Sequence, residues 1–123
     1  MGERPALQPR LRAIADLVPA GSRLADIGTD HGYIPIDLLL AGRITAAIAT
    51  DIGELPLDHA RRTAQRCGLT AGIDFRLGDG LMPVLPGEAD VIVIAGMGGD
   101  NIAAILSAAH WARKGPLLLL QPM

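Results

Sequence analysis

The residues with the most chemistry per unit length form one short run, Asp26-Ile27-Gly28-Thr29-Asp30-His31-Gly32. It holds two carboxylates, an imidazole and two glycines, and glycine lets the main chain approach a ligand closely. Asp51 follows 23 positions after Gly28, about where a dinucleotide fold places the acid that accepts the ribose hydroxyl protons. The glycine spacing is Gly28-x-x-x-Gly32 rather than G-x-G-x-x-G, and acidic Asp30 stands where a pyrophosphate needs neutral amides at a helix N-terminus. That argues against NAD. A cofactor with an amino-acid end and a cationic sulfonium accommodates nearby carboxylates, because opposite charges attract strongly where water is partly excluded. The loop chemistry points to S-adenosylmethionine.

Two further segments bear on the same site. Gly78-Asp79-Gly80-Leu81 offers a carboxylate able to accept from an adenine amino group. Alone, an Asp-Gly pair is usually a turn; read with Gly28 and Asp51 it joins a site. Ala95-Gly96-Met97-Gly98-Gly99-Asp100-Asn101 reads as a small-sided loop that admits a ligand to the main chain, with Asp100 or Asn101 capping the helix after it. Met97 is core filler or cofactor contact. Asp30 is helix cap, catalyst or both, and His31 lines the site or packs at the helix start. The expected cofactor set is Asp26, Gly28, Thr29, His31, Gly32, Asp51, Asp79, Gly80, Gly96 and Met97, with Asp30 as the catalytic candidate. Arg4, Arg10, Arg12, Arg61, Arg62 and Arg66 could touch phosphates, although solvated helix faces explain them more simply. His59, His110, Trp111 and Cys67 have no partners at ligand spacing and are read as structural, so no metal site is expected.

Five apolar runs have strand length and chemistry: residues 23–27, 46–50, 73–77, 91–95 and 117–120. Helical patterns lie between them: Ile36, Leu39 and Leu40, stopped by Gly42; Leu57, Ala60, Ala64 and Cys67, stopped by Gly68; and Ile102, Ile105, Leu106 and Ala109. Leu7, Leu11, Ile14 and Val18 mark an earlier packing helix over residues 5–18, halted near Pro19 and Gly21. Residues 78–88, with two prolines and three glycines, read as a loop with a helical turn. Alternating strand and helix predicts an α/β fold, a Rossmann-like, doubly wound, mainly parallel sheet over residues 22–123 that binds ligands outside the carboxyl ends of its strands.

The 123 residues are expected to form one domain. Half are hydrophobic, but the chain has only one Trp, one Tyr and one Phe, so the core must be aliphatic. A net charge of −2 advertises neither a nucleic-acid surface nor an anionic membrane. A single cysteine excludes an internal disulfide and a cysteine-rich zinc site and fits a reducing compartment, the cytosol. No apolar run nears the roughly 20 residues of a membrane helix, and no signal peptide is evident. The chain closes on an apolar strand, Leu117 to Leu120, with Gln121-Pro122-Met123 after it, which suggests a sheet truncated after its fifth strand and a chain cut from a longer protein.

At Arg10-Leu11-Arg12-Ala13-Ile14-Ala15, Ala25 to Pro35, Gly78 to Leu81 and Ile94 to Gly99, the sequence resembles the bacterial tRNA (adenine-N1) methyltransferases that modify adenine 22. The likeness covers nearly the whole chain. It implies a class I methyltransferase fold, S-adenosylmethionine as cofactor and an adenine N1 in tRNA as target. Asp26, Gly28 and Asp30 would seat the methionine end, Asp51 the ribose and Asp79 the adenine. Relatives usually continue Gln-Pro-Asn where this chain has Gln121-Pro122-Met123, which removes a polar contact near the target base. Alternatives are a methyltransferase for small molecules and a cofactor-binding remnant without turnover.

Overall fold

The computed structural model describes residues 4–123. Its sheet has five parallel strands: β1 (Ser22–Ile27), β2 (Ile44–Asp51), β3 (Ile73–Leu77), β4 (Val91–Met97) and β5 (Leu117–Pro122), in the order β3-β2-β1-β4-β5. The helices are α1 (Pro9–Leu17), α2 (Tyr33–Leu40), α3 (Glu54–Arg66) and α4 (Gly99–Ala108), with a short 3-10 turn at His110–Arg113.

Strand alternation explains the layering. On β1, Leu24 faces one core while Ala25 and Ile27 face the other; on β4, Val91 and Val93 oppose Ile92 and Ile94 in the same way. Successive side chains on a strand point to opposite faces, so strands apolar at every position are covered twice. Ile14, Ala15 and Val18 of the α1 segment and Ile34 and Leu38 of α2 cover the first face. Ile102 of α4, Ala109 and Ala112, together with Leu81 and Val84 from the segment after β3, cover the second. A third cluster, Ile36, Ala64 and Cys67, packs α2 against α3. Every buried hydrophobic side chain among the described residues is Ala, Val, Leu, Ile or Cys67, the aliphatic core that the composition requires.

Several boundaries differ from the sequence expectation. The first helix starts at Pro9, which suits a helix's first position because its missing N–H would be unpaired there anyway. Leu7 lies before the helix and still packs on its core. Strand β4 continues through Gly96 and Met97, across an irregularity between Ala95 and Met97 where it pairs with β5. Gly96 and Met97, read as loop, are therefore strand, while Gly98 is the N-cap residue of α4 and Gly99 opens that helix. Residues 78–88 form consecutive turns, in keeping with the loop and helical turn expected there.

The α1 segment is latched to α2 through Asp37, which is fully buried. Its Oδ1 accepts from Arg4 Nε at 2.8 Å and its Oδ2 from Arg4 Nη2 at 3.2 Å, while Arg12 Nη2 lies 3.1 Å from Oδ2. Both arginines stay partly exposed, so removing the carboxylate strands no buried cation. Asp37→Ala should lower the unfolding free energy by about 1.5–3 kcal/mol, the range for hydrogen bonds to a charged group. Urea unfolding at neutral pH would measure this, and an unchanged midpoint would rule out the latch.

Candidate functional site

The strand order reverses direction around β1, whose neighbours are β2 and β4. Crossovers on opposite sides of such a point leave a crevice at the carboxyl ends of the strands. A cavity of about 980 Å³ lies there, reached by the ends of β1, β2, β3 and β4.

From β1 the chain enters a tight left-handed path: Gly28 has φ 71°, Asp30 φ 54° and Gly32 φ 72°. Asp30 is the only non-glycine residue with positive φ among those described, and aspartate tolerates this region better than most residues. The path is held by Thr29 N–H donating to Thr50 O at 2.7 Å and by Asp30 N–H donating to Asp51 Oδ2 at 3.1 Å. Asp51 Oδ1 accepts from Gly53 N–H at 3.0 Å. Each carboxylate oxygen of Asp51 is thus oriented by one backbone donor and keeps acceptor capacity for a ligand. A Cβ on Gly28 would strike the Met97 terminal methyl, so glycine is what allows the loop to lie against the end of β4.

Asp26 is buried and accepts from Thr29 Oγ1 at 2.8 Å. Burial pushes its carboxyl from an ordinary value of 3.8 up to about 7, the Thr29 hydroxyl opposes that rise, and the Asp51 and Asp30 charges add to it. A carboxyl whose pKa is raised by folding favours the native state while protonated. Its contribution is complete below about 3.8 and is lost as pH climbs through about 7. The parent protein should therefore lose stability between about pH 4 and pH 7 relative to Asp26→Asn. Parallel denaturant midpoints for the two proteins would eliminate this account if the curves shared one slope.

The cavity brings together Asp26, Gly28, Thr29, Asp30, His31, Asp51, Asp79, Gly80, Gly96 and Met97. Gly32 is not in its wall. That glycine is the N-cap residue of α2, and a Cβ on it would come within 3.0 Å of the Ala60 methyl. It packs α2 against α3 and does not line the site. Asp30 makes no capping hydrogen bond to α2, and neither Asp100 nor Asn101 caps α4, whose N-cap is extended Gly98. The Asp30 side chain stands exposed at the mouth, 4.0 Å from His31 Nε2.

Sequence reasoning missed five neighbours of the site. Arg10 reaches the cavity from α1, donating from Nη1 to Gln121 Oε1 at 3.0 Å. Thr50 belongs to the cavity wall, and its Oγ1 is buried without a hydrogen-bond partner. Ile52, next to Asp51, is 72% exposed at the rim and presents an apolar face. Tyr33 stacks on His31, and His31 on His59, with ring centroids 5.2 Å apart in both pairs. Trp111 lies in the cavity wall. A large apolar residue left in solvent beside a strand-end acid is a usable signal for Ile52, whereas the others depend on long-range packing. Met123 donates its N–H to Met97 O at 2.8 Å and leaves its side chain 88% exposed.

Residues 7–123 match the family model described as Methyltransferase domain. The chain belongs to that family. This methyltransferase domain is 44% identical over 117 residues to the tRNA (adenine(22)-N(1))-methyltransferase of Bacillus subtilis strain 168, covering 94% of this chain and 49% of that protein. The domain therefore spans about half the length of the curated relative it matches. The crystal structure of the B. subtilis tRNA methyltransferase TrmK superposes with a TM-score of 0.86 at 42% identity, over 95% of this chain and 50% of that one. A Streptococcus pneumoniae protein solved in complex with S-adenosyl-L-methionine gives a TM-score of 0.89 at 38% identity, over 95% and 56%. The Rossmann-like methyltransferase fold expected from the sequence is the fold observed, with its five strands all parallel. No helix among the described residues is long and apolar enough to cross a membrane.

Proposed function

We propose that this domain binds S-adenosylmethionine and serves a cytosolic enzyme that methylates N1 of an adenine in tRNA. The observation that carries the reading is the row of carboxylates along the sheet edge, Asp79 after β3, Asp51 at the end of β2 and Asp26 and Asp30 around β1, in a chain 44% identical to an enzyme of that activity.

The residues fit the cofactor. Asp51, with both oxygens oriented, accepts from the two ribose hydroxyls, and Asp79 accepts from the adenine amino group. Ile52 gives the purine ring an apolar wall. Gly28, Thr29, Gly80, Gly96 and Met97 form the close-fitting main-chain surface, with Asp26 the counter-charge for the ammonium group and His31 closing the mouth. When bound, S-adenosylmethionine supplies a methyl group on a cationic sulfur, open to in-line displacement by a ring nitrogen. Alignment of acceptor and donor in a partly dehydrated cavity does most of the catalytic work. Methylation at N1 leaves adenine cationic until its exocyclic amine loses a proton, and Asp30 at the mouth is the group to stabilise that charge and take the proton.

A second concavity of about 880 Å³ shares Arg10, Asp30, His31 and Tyr33 with the first and adds Arg66. Aromatic rings to stack on and guanidinium groups for phosphates suit a nucleotide acceptor better than a small apolar one. N1 lies on the Watson–Crick edge, so the adenine must be unpaired or extruded to reach Asp30.

Titration with S-adenosylmethionine, together with transfer of its labelled methyl group to unmodified tRNA, tests the proposal. Saturable binding and label at adenine N1 are expected. Transfer only to metabolites would favour a small-molecule enzyme, binding with no transfer a cofactor module alone, and absence of binding would sink the reading.

A further inference from the structure

The two concavities that meet at the carboxyl edge of the sheet carry opposite charge. Asp26, Asp30, Asp51 and Asp79 line the first, against Arg10 as its one cation among the described residues. Arg4, Arg10 and Arg66 line the second, against Asp30 as its one acid among them. On its other flank, between α4 and the turns after β3, the first cavity presents exposed Met82, Leu85, Ala104 and Ala108. Of the two flanks of the Asp30 mouth, only the groove between the α1 segment and α3 attracts a polyanion.

Helix α3 carries Arg61, Arg62 and Arg66, and their surroundings separate them. Arg62 is tied to Asp58, one turn before it, at 2.9 Å, and Arg61 lies over the Phe75 ring, 5.8 Å from its centroid. Arg66 has no carboxylate within ion-pair distance among the described residues and alone of the three lines the groove. Its Nη2 donates to Thr63 Oγ1 at 3.2 Å, and Thr63 Oγ1 donates in turn to His59 O at 2.9 Å. Thr63 is buried, so the exposed guanidinium is anchored through one N–H, and its remaining donors stay available. The anchor lies one helical turn, about 6 Å, along α3 from His59, whose ring stacks on His31 at the mouth.

We infer that Arg66 binds a backbone phosphate of the RNA acceptor, and that the acceptor strand reaches Asp30 along the groove between the α1 segment and α3. The inference rests on the tRNA reading above and adds to it a direction of approach and a contact outside the cofactor cavity. An adenine turned towards Asp30 leaves its neighbours in the strand on the basic side, where one phosphate meets the pre-set guanidinium. A free nucleoside has no such phosphate. The contact therefore favours a polynucleotide over a small acceptor and does not touch the methyl donor.

The test measures binding of unmodified tRNA to the full chain over a range of salt concentrations, for the parent, Arg66→Ala, Arg66→Lys and Arg61→Ala. Calorimetry gives the S-adenosylmethionine affinity of each. Neutralising one phosphate of a single strand contributes about 0.7 to the slope of log affinity against log salt. Arg66→Ala should flatten the slope by that amount and weaken tRNA binding about fivefold at about 0.1 M salt, with S-adenosylmethionine affinity unchanged. Arg66→Lys should keep the parental slope, because a phosphate also accepts a point charge. Arg61→Ala removes the same charge from the same helix outside the groove and should leave the slope as it is. An unchanged slope in Arg66→Ala, an equal change in Arg61→Ala, or a matching loss of S-adenosylmethionine affinity in Arg66→Ala would overturn the inference and leave the tRNA reading standing. A parent that binds S-adenosylmethionine but no tRNA would remove the RNA acceptor and the inference with it, while keeping the cofactor.

Discussion

Asp51→Ala should weaken S-adenosylmethionine binding by roughly 30- to 100-fold, about 2–3 kcal/mol, while the domain stays folded. The size follows from how the carboxylate is set. Its two oxygens are already oriented by the Asp30 and Gly53 amides, so ribose hydroxyls meet a pre-positioned acceptor and little ordering cost remains at binding. Hydrogen bonds to a charged group are worth about 1.5–3 kcal/mol each, and two sharing one carboxylate add incompletely. Removing the carboxylate also frees the Asp30 amide, whose left-handed conformation it helps to hold. Calorimetry on the variant, with circular dichroism to check the fold, decides the matter. A loss below about threefold would move the ribose elsewhere in the cavity.

Gly28→Ala should have the second large effect, for a different reason. Its φ of 71° costs an L-residue about 1–2 kcal/mol, and the added methyl drives the Met97 side chain aside. Because that side chain lines the cavity, it moves within the site, and cofactor affinity should fall by at least about tenfold. Gly21→Ala is the control: Gly21 has a similar φ of 79°, but a Cβ there meets nothing within 4 Å. The two variants should lose comparable stability, with binding lost only in Gly28→Ala. Equal binding losses would mean that backbone strain, and not the approach of the loop to Met97, governs the site.

The legible part of the fold was the part written in local pattern. Apolar runs marked the central strands β1, β2 and β4 because these are buried on both faces and need aliphatic residues throughout, whereas β3 and β5 are edge strands, partly buried and found by shorter apolar patterns. Limits moved where tertiary pairing overrode local chemistry. Gly96 and Met97 read as loop, yet β5 extends the ladder over them by pairing Pro122 with Met97 across the irregularity. Capping was misread for a related reason. Asp100 and Asn101 are good capping residues, but Gly98 adopts the extended conformation that starts α4, so they fall inside the helix. Among the site residues, the strand-end acids were visible because strand ends can be located in sequence. Arg10 was not, since nothing near it in the chain reports that α1 folds over the end of β4 or that Gln121, 111 residues away, holds its guanidinium. Gly32 shows the converse. Its place in a glycine-rich run suggested ligand contact, while the contact it protects is the close approach to Ala60 of α3.

The scarcity of aromatic residues also has a practical side. The chain holds a single tryptophan, and Trp111 is in the wall of the cavity, packed against the core below α4. Emission excited at the red edge of protein absorption therefore comes from one indole beside the ligand. A purine entering this cavity should alter that emission with no background from indoles elsewhere, so the domain carries an intrinsic optical reporter of its own occupancy.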